Sequence, residues 1–200
     1  MISESFQYKT ERLLLRFPEE SDIETTFSAT RYKGFNDGML WEKPESVEPL
    51  YEHHRSAVRA WRNNEFYAFS VDLIEPASFL GRIGVHPAKS KDTQNAGIKY
   101  IEPGSALEIG FWMHPEHQGN GYMTEAVEAV LKICFNTLKA EKIEAFHACW
   151  NKASESVLRN NGFEFVEYIE QGFKKHGQWV DENKLSINRE QFEKLKRKKQ

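Results

Sequence analysis

The stretch ALEIGFWMHPEHQGNGYMTEAVEAVLKICF, Ala106 to Phe135, changes its period halfway. From Ala106 to Met113 the residues alternate. Leu107, Ile109, Phe111 and Met113 share one face, and Glu108, Gly110 and Trp112 the other, which is the pattern of a strand. From Gly119 to about Lys139 the apolar residues Met123, Val127, Val130, Leu131, Cys134 and Leu138 recur at helical spacing. Between the two runs stand Gly119 and Gly121. A strand, a glycine turn and an amphipathic helix commit the chain to a sheet with a helix packed on it. They also place the most permissive residues at a helix start, where backbone N–H groups lack intrahelical partners and carry about half a positive charge. Glycines there admit a bulky anion to the backbone. The same pair also suits an ordinary turn that needs positive φ, and taken alone it does not separate the two. The turn lacks the Gly-Lys-Ser/Thr ending of a Walker loop, and no third glycine stands near Thr124 to complete a dinucleotide fingerprint.

The rest of the chain reads as strands and helices in mixed order. Tyr8 to Pro18 is expected to be one strand, followed by a short helix from Glu19 to Thr30 and a longer one from Ser46 to Asn64 with Ser46 as its cap. Phe66–Ile74 and Phe79–Pro87 form a hairpin. The polar stretch Ala88–Ser105 is too long for a tight hairpin and is expected to be a working loop or a strand extension. Lys142–Trp150 is a strand and Ala153–Asn161 a helix closed by Gly162. Strands at Phe163–Ile169 and Trp179–Ile187 follow, then a helix after Asn188. This order suits an α/β fold with a mixed sheet and helices on both faces. With no repeat and no linker, residues 1–200 are expected to form a single domain.

Composition narrows the function. The chain is 40% hydrophobic, so it can bury a core, and its net charge of −3 supplies no basic field for nucleic acid. The one basic run, Lys194 to Gln200, reads as a solvated helix end. Cys134 and Cys149 lie far apart in apolar patterns and are expected to be buried thiols. The first residues lack the basic segment and apolar core of a signal peptide. No apolar run approaches the roughly 20 residues that span a bilayer. A soluble, cytoplasmic protein with no membrane partner is expected.

Glu108 is the candidate catalytic residue. A carboxylate beside a glycine and an indole in a central strand is costly as mere core. It is either a general base or a strand-end glutamate paired with a nearby cation. Asn151 is an ideal N-cap for the Ser154 amide. His114 and His117 show no third metal ligand and read as polar loop residues, and His53 and His54 as a solvated helix flank. The tryptophans Trp41, Trp61, Trp112, Trp150 and Trp179 read mainly as packing residues, with Trp41 placed to wall a substrate site.

Leu107–Phe135, followed by AFHACWNKASESVLRNNGFEFVE, resembles the GNAT superfamily of acetyl-CoA-dependent N-acetyltransferases, and within it the RimJ/RimL-type branch. The resemblance runs from TERLLLR at Thr10 to GQWVDENKLSI at Gly177 and is densest from Leu107 to Phe163. It implies a mostly antiparallel, twisted mixed sheet flanked by helices, acetyl-CoA as cosubstrate, no metal, and a monomer or homodimer. The family loop Gln/Arg-x-x-Gly-x-Gly/Ala corresponds to Glu116–Gly121. By resemblance Gln118, Gly119, Asn120, Gly121, Tyr122 and Met123 hold the CoA pyrophosphate end. Phe111, Trp112 and Met113 match the strand segment that bonds the pantetheine arm, where a backbone N–H polarises the acetyl carbonyl. Asn151 and Ser154 match Asn-x-x-Ser near the thiol, and Glu108 matches the position of the family base. The chain departs from the family at Leu158, where many members carry a tyrosine that protonates the leaving thiolate. Ser154 or water is left to take that part.

The branch implies a protein N-terminus as acceptor, though it also includes enzymes for small amines such as polyamines and for antibiotics such as aminoglycosides. Acidic and basic residues nearly balance in Thr30–Glu52 and Ala88–Ser105, the expected acceptor side, which argues against a polycation. The rival readings are a catalytically weak CoA-binding protein, suggested by Leu158, and an unrelated nucleotide-binding module.

Overall fold

The expected strand from Tyr8 to Pro18 is two strands, β1 (Gln7–Lys9) and β2 (Leu13–Arg16), paired antiparallel across a turn. The turn contains neither glycine nor proline, so no local signal marks it. Thr10 closes it: its backbone N–H donates to the Leu13 carbonyl (2.9 Å) and its hydroxyl accepts from the Leu13 amide (2.9 Å). The same hydroxyl donates to Glu125 (2.6 Å), far along the chain.

The computed structural model describes residues 1–88 and 100–199. After β2 come α1 (Asp22–Thr30), α2 (Glu48–Arg62), β3 (Tyr67–Leu73), β4 (Ser78–Pro87), β5 (Ala106–Met113), α3 (Tyr122–Lys132), β6 (Lys142–Ala148), α4 (Lys152–Asn160), β7 (Glu164–Lys175), β8 (Gln178–Asn188) and α5 (Arg189–Lys199). The strands form one sheet in the order β1-β2-β3-β4-β5-β6-β8-β7. Every neighbouring pair is antiparallel except β5 and β6. This is the expected mixed α/β fold.

The two faces of the sheet differ in chemistry. Leu13, Leu15, Phe69, Val71, Ile83, Val85, Leu107 and Ile109 share one face through the strand registers. They are buried in one cluster with Met123, Val127 and Val130 of α3. Each such side chain contributes about 1.5–3 kcal/mol by leaving water. The opposite face carries Ser70, Arg82, Gly84, Glu108, Gly110 and Trp112. There α1 docks through Asp22, which accepts from Arg16 (2.7 Å), Ser70 (2.6 Å) and the Glu19 amide (3.0 Å) and pairs with Arg82 at 3.4 Å. Helices therefore cover both faces, one through apolar packing and the other through a buried ion network.

The helix expected from Gly119 to Lys139 starts later and changes pitch. It begins at Tyr122, and after Lys132 it widens into a π-helical turn, Ile133–Thr137, in which the Leu138 amide reaches back to the Ile133 carbonyl (3.0 Å). The wider turn is held from outside. Arg189 donates to the Phe135 and Ala140 carbonyls (2.7 and 2.8 Å), and Phe135 stacks on Phe192 at 4.7 Å. At α2 the cap position is Val47 rather than Ser46, and no side chain caps the helix there.

Several burial expectations change. Trp61 is fully buried, with its indole N–H on the Ile2 carbonyl (2.9 Å), but Trp150 and Trp179 are more than half exposed. Cys134 is buried and Cys149 only half-buried, and both are free thiols. His54 is half-buried, unlike the exposed His53. No helix among the described residues is long and apolar enough to cross a membrane. Most of Ala88–Ser105 lies outside the described residues.

Candidate active site

β5 and β6 pair at three positions only, Ala106 with Lys142, Leu107 with Ile143 and Glu108 with Glu144. Beyond them β5 stays on β4 as far as Met113, and β6 stays on β8 as far as Ala148. The two central strands therefore part, and a cleft of about 940 Å³ opens between them. Its walls come from the α1–α2 connection, β4, β5, the glycine turn, the start of α3, the end of β6, α4 and β8. Of the site residues expected from the sequence, Glu108, Phe111, Trp112, Met113, Gln118, Gly119, Gly121, Tyr122, Met123, Asn151 and Ser154 line this one cleft, and Asn120 does not.

The glycine turn is pinned at both ends. His114 is buried at its entrance, where Nδ1 accepts from the Glu116 amide (3.3 Å) and Nε2 lies 3.3 Å from the Ser28 hydroxyl. It is a polar loop residue, as expected, buried as the cap of the turn, and burial pushes its pKa below the usual histidine value. Gln118 donates to the Met113 carbonyl (3.1 Å). Asn120 folds back, donating to the His117 and Gln118 carbonyls (3.1 Å each), which is why its side chain faces the turn and not the cleft. The Glu116 carboxylate is taken by the Tyr32 hydroxyl.

Arg12 holds the far end of the turn. Its guanidinium donates to the Asn120 carbonyl (3.1 Å), pairs with Glu125 of α3 (2.7 Å) and lies 4.6 Å above the Tyr122 ring. Gly119 and Gly121 both adopt positive φ, +79° and +77°, so the turn itself requires glycine. A Cβ on Gly119 would meet nothing within 4 Å. The backbone thus faces open space, at the N-terminus of an eleven-residue helix whose first bond is Glu125 N–H to Gly121 O (3.1 Å). The amides of Tyr122, Met123 and Thr124 precede that bond, and with Arg12 alongside they suit an anion.

Glu108 projects from the polar face of β5 as the alternation predicts, with Leu107 and Ile109 buried on the other side. In register opposite it on β4 stands His86, with Nε2 3.6 Å from the Glu108 carboxylate. His86 Nδ1 lies 3.0 Å from the Pro87 carbonyl and so carries a hydrogen. Nε2 then carries a second hydrogen only when the ring is cationic. At 3.6 Å the pair is too long for a direct hydrogen bond. A second carboxylate, Glu182 of β8, lines the same cleft. Burial, and then the charge of Glu108, push its carboxyl above the usual range. Gly110, where a Cβ would meet nothing within 4 Å, leaves the floor beside Glu108 open.

Asn151 caps α4 as expected, its Oδ1 accepting from the Ser154 amide (3.1 Å). Leu158 is fully buried in the core and is absent from the cleft lining. On the acceptor side the α1–α2 connection contributes aromatic rings, Phe35 edge-on to Trp112 at 5.6 Å and to Trp41 at 6.2 Å. Trp41 lines the cleft, as its loop position suggested. Sequence reasoning did not single out His86, Arg82, His147, Glu182 or Arg12. Alternation signals the face of each strand residue, but only strand register brings His86 to Glu108. Among the described residues no group of three His, Cys, Asp or Glu is placed to hold a metal.

Comparison with known proteins agrees with this geometry. The chain is 25% identical over 185 residues to the uncharacterized N-acetyltransferase YoaA of Bacillus subtilis, covering 90% of this chain and 94% of that one. Its fold matches RimL, a ribosomal-protein α-N-acetyltransferase solved with coenzyme A, with a TM-score of 0.74 at 16% identity over 90% of this chain and 95% of that one. It matches the spermidine N-acetyltransferase of Vibrio cholerae, solved with CoA and spermine, with the same TM-score of 0.74 at 20% identity, over 92% of this chain and 99% of that one. The family model for the acetyltransferase (GNAT) domain matches residues 12–164, and the chain therefore belongs to the GNAT acetyltransferase family.

Proposed function

We propose that this chain is a cytoplasmic, single-domain enzyme that transfers acetyl from acetyl-CoA to the α-amine of a protein or peptide N-terminus. The observation that carries this reading is that Glu108 and the glycine turn of α3 open into one cleft where β5 and β6 part. Acetyl-CoA supplies the acetyl group as a thioester. The open space over Gly119, the first amides of α3 and Arg12 fit its pyrophosphate, and Phe111–Met113, Asn151 and Ser154 fit its arm. Glu108, directly or through water, removes the proton of the acceptor ammonium. An α-amine titrates near 8, so about a tenth is already neutral at pH 7. Ser154, on the first turn of α4, donates toward the leaving sulfur in place of the tyrosine that Leu158 replaces.

The charge of the cleft supports a monocation. Among the described lining residues the carboxylates are Glu108 and Glu182 and the cations are Lys33 and Arg82, of which Arg82 is already paired with Asp22, so the cleft carries about one uncompensated negative charge. A polyamine site must hold several ammonium groups. We expect kcat/KM for a short Ala- or Ser-initiated peptide to exceed that for spermidine or an aminoglycoside by about tenfold or more, a difference of 1.4 kcal/mol. A tenfold preference for either small amine would replace the acceptor and leave the acetyl transfer standing. The second reading, a small-amine acceptor, rests on Glu182 lying close enough to feel the charge of Glu108.

The cradle has its own test. Gly119→Ala adds a methyl group at φ +79°, into the space assigned to the pyrophosphate. Left-handed backbone costs a non-glycine residue about 1–2 kcal/mol, so the melting temperature falls modestly. CoA affinity, measured by calorimetry on the folded variant, should fall by about tenfold or more. An unchanged Kd would remove the turn from cofactor binding.

A further inference from the structure

His147 lies near the end of β6, 3% exposed, and lines the cleft. Its Nδ1 is 2.9 Å from the Ala148 carbonyl. A carbonyl only accepts, so Nδ1 carries the hydrogen, and in the neutral ring Nε2 presents a bare lone pair. That nitrogen is buried and has no hydrogen-bond partner among the described residues. Buried polar atoms are paired in the great majority of cases, so this acceptor, covered by its neighbours but carried by a residue that lines the cleft, lacks a donor that the described residues do not give it.

The protein does not supply that donor from the helix above. Glu155 of α4 is near enough to feel the ring, but a carboxylate offers no hydrogen, and it is already engaged by Lys152 (3.0 Å) and Arg159 (3.7 Å). Nor does β5 supply it. The β5–β6 ladder stops at Glu144, three residues earlier, so this part of β6 borders open cleft. The chemistry of the lone pair then selects its guest. Phosphate oxygens are acceptors and are repelled by it. The pantetheine arm of CoA carries two amide N–H donors and a hydroxyl, and the remaining donors of that molecule, its thiol, ribose hydroxyl and adenine amine, lie at its two ends.

We propose that His147 Nε2 accepts a hydrogen bond from an amide N–H of the pantetheine arm, which makes His147 a positioning residue for CoA. This rests on the reading of the cleft as a CoA site.

The test is calorimetry with two ligands, CoA and the CoA nucleotide cut off after its pyrophosphate, on wild type, His147→Phe and His147→Gln. With phenylalanine, CoA should bind about tenfold more weakly, the loss of one buried hydrogen bond, and the armless nucleotide should bind unchanged. Glutamine, whose side-chain oxygen accepts, should recover part of the loss. Nitrogen NMR of the histidine-labelled wild type gives a readout that needs no variant. The His147 Nε2 resonance should move on adding CoA and stay in place with the armless nucleotide. Unchanged CoA affinity in His147→Phe, an equal loss for both ligands, or a still resonance overturns the inference. Failure of the wild type to bind CoA overturns the cofactor reading itself, which is a separate outcome.

Discussion

Glu108→Gln is expected to lower kcat near pH 7 by about 10²–10⁴-fold while leaving the Kd for CoA nearly intact. Glutamine keeps the volume of the side chain and its place between buried Leu107 and Ile109. It loses only the capacity to take a proton. The loss should shrink as pH rises past about 8, where an α-amine is neutral without help, so the pH–rate profile of the variant should climb more steeply than that of the wild type. His86 sharpens the test. If Glu108 were only the partner of a cationic His86 at 3.6 Å, glutamine would lower the melting temperature and spare kcat. Glu182 bears on the residual rate: it lines the same cleft, and its raised carboxyl pKa lies nearer that of the amine. Glu108→Gln/Glu182→Gln should fall below the single variant if Glu182 takes over the proton. A single variant with the wild-type rate near pH 7 would remove Glu108 from the mechanism.

The parts of the site legible in the sequence are those fixed by local signals. β5 runs from Ala106 to Met113 as its alternation states. Gly119 and Gly121 sit at positive φ at a helix start, and Asn151 caps the next helix. Each of these follows from backbone sterics or one side-chain bond within a few residues. The parts that were not legible depend on partners distant in the chain. The β1–β2 turn is invisible until Glu125 arrives to bind Thr10 and the Arg12 amide. Helix α3 loses its pitch after Lys132 where Arg189 and Phe192 pack from the C-terminus. His86 faces Glu108 by strand register, and Glu182 reaches the cleft from a strand beyond β6. Trp150 and Trp179 show a different limit. Aromatic size predicts burial on average, yet both stand more than half exposed.

Asp22→Ala should destabilise the fold by about 3–5 kcal/mol, the cost of removing one partner from a buried ion pair. Asp22 is 1% exposed and gathers Arg16, Ser70, Arg82 and the Glu19 amide. Arg16 keeps Asp72 as a second partner (2.6 Å). Arg82 has no such reserve, because among the described residues Asp22 is the carboxylate that pairs with it. The variant therefore strands a guanidinium that burial already disfavours as a charge. The damage reaches the site, since Arg82 lines the cleft and stands in register with Trp112. The pH dependence has a definite sign. Burial alone would raise the Asp22 carboxyl, but the hydrogen bonds from Arg16, Ser70 and the Glu19 amide outweigh it and hold it below the ordinary value. A carboxyl lowered in the folded state stabilises the protein above its unfolded pKa, about 3.9, and that contribution is lost as pH falls through the folded value. Urea unfolding of wild type and Asp22→Ala should show the full difference near pH 7 and a smaller one in acid. A difference below about 1 kcal/mol near pH 7, the range of an exposed ion pair, would show that the network beneath the cleft does not hold α1 on the sheet.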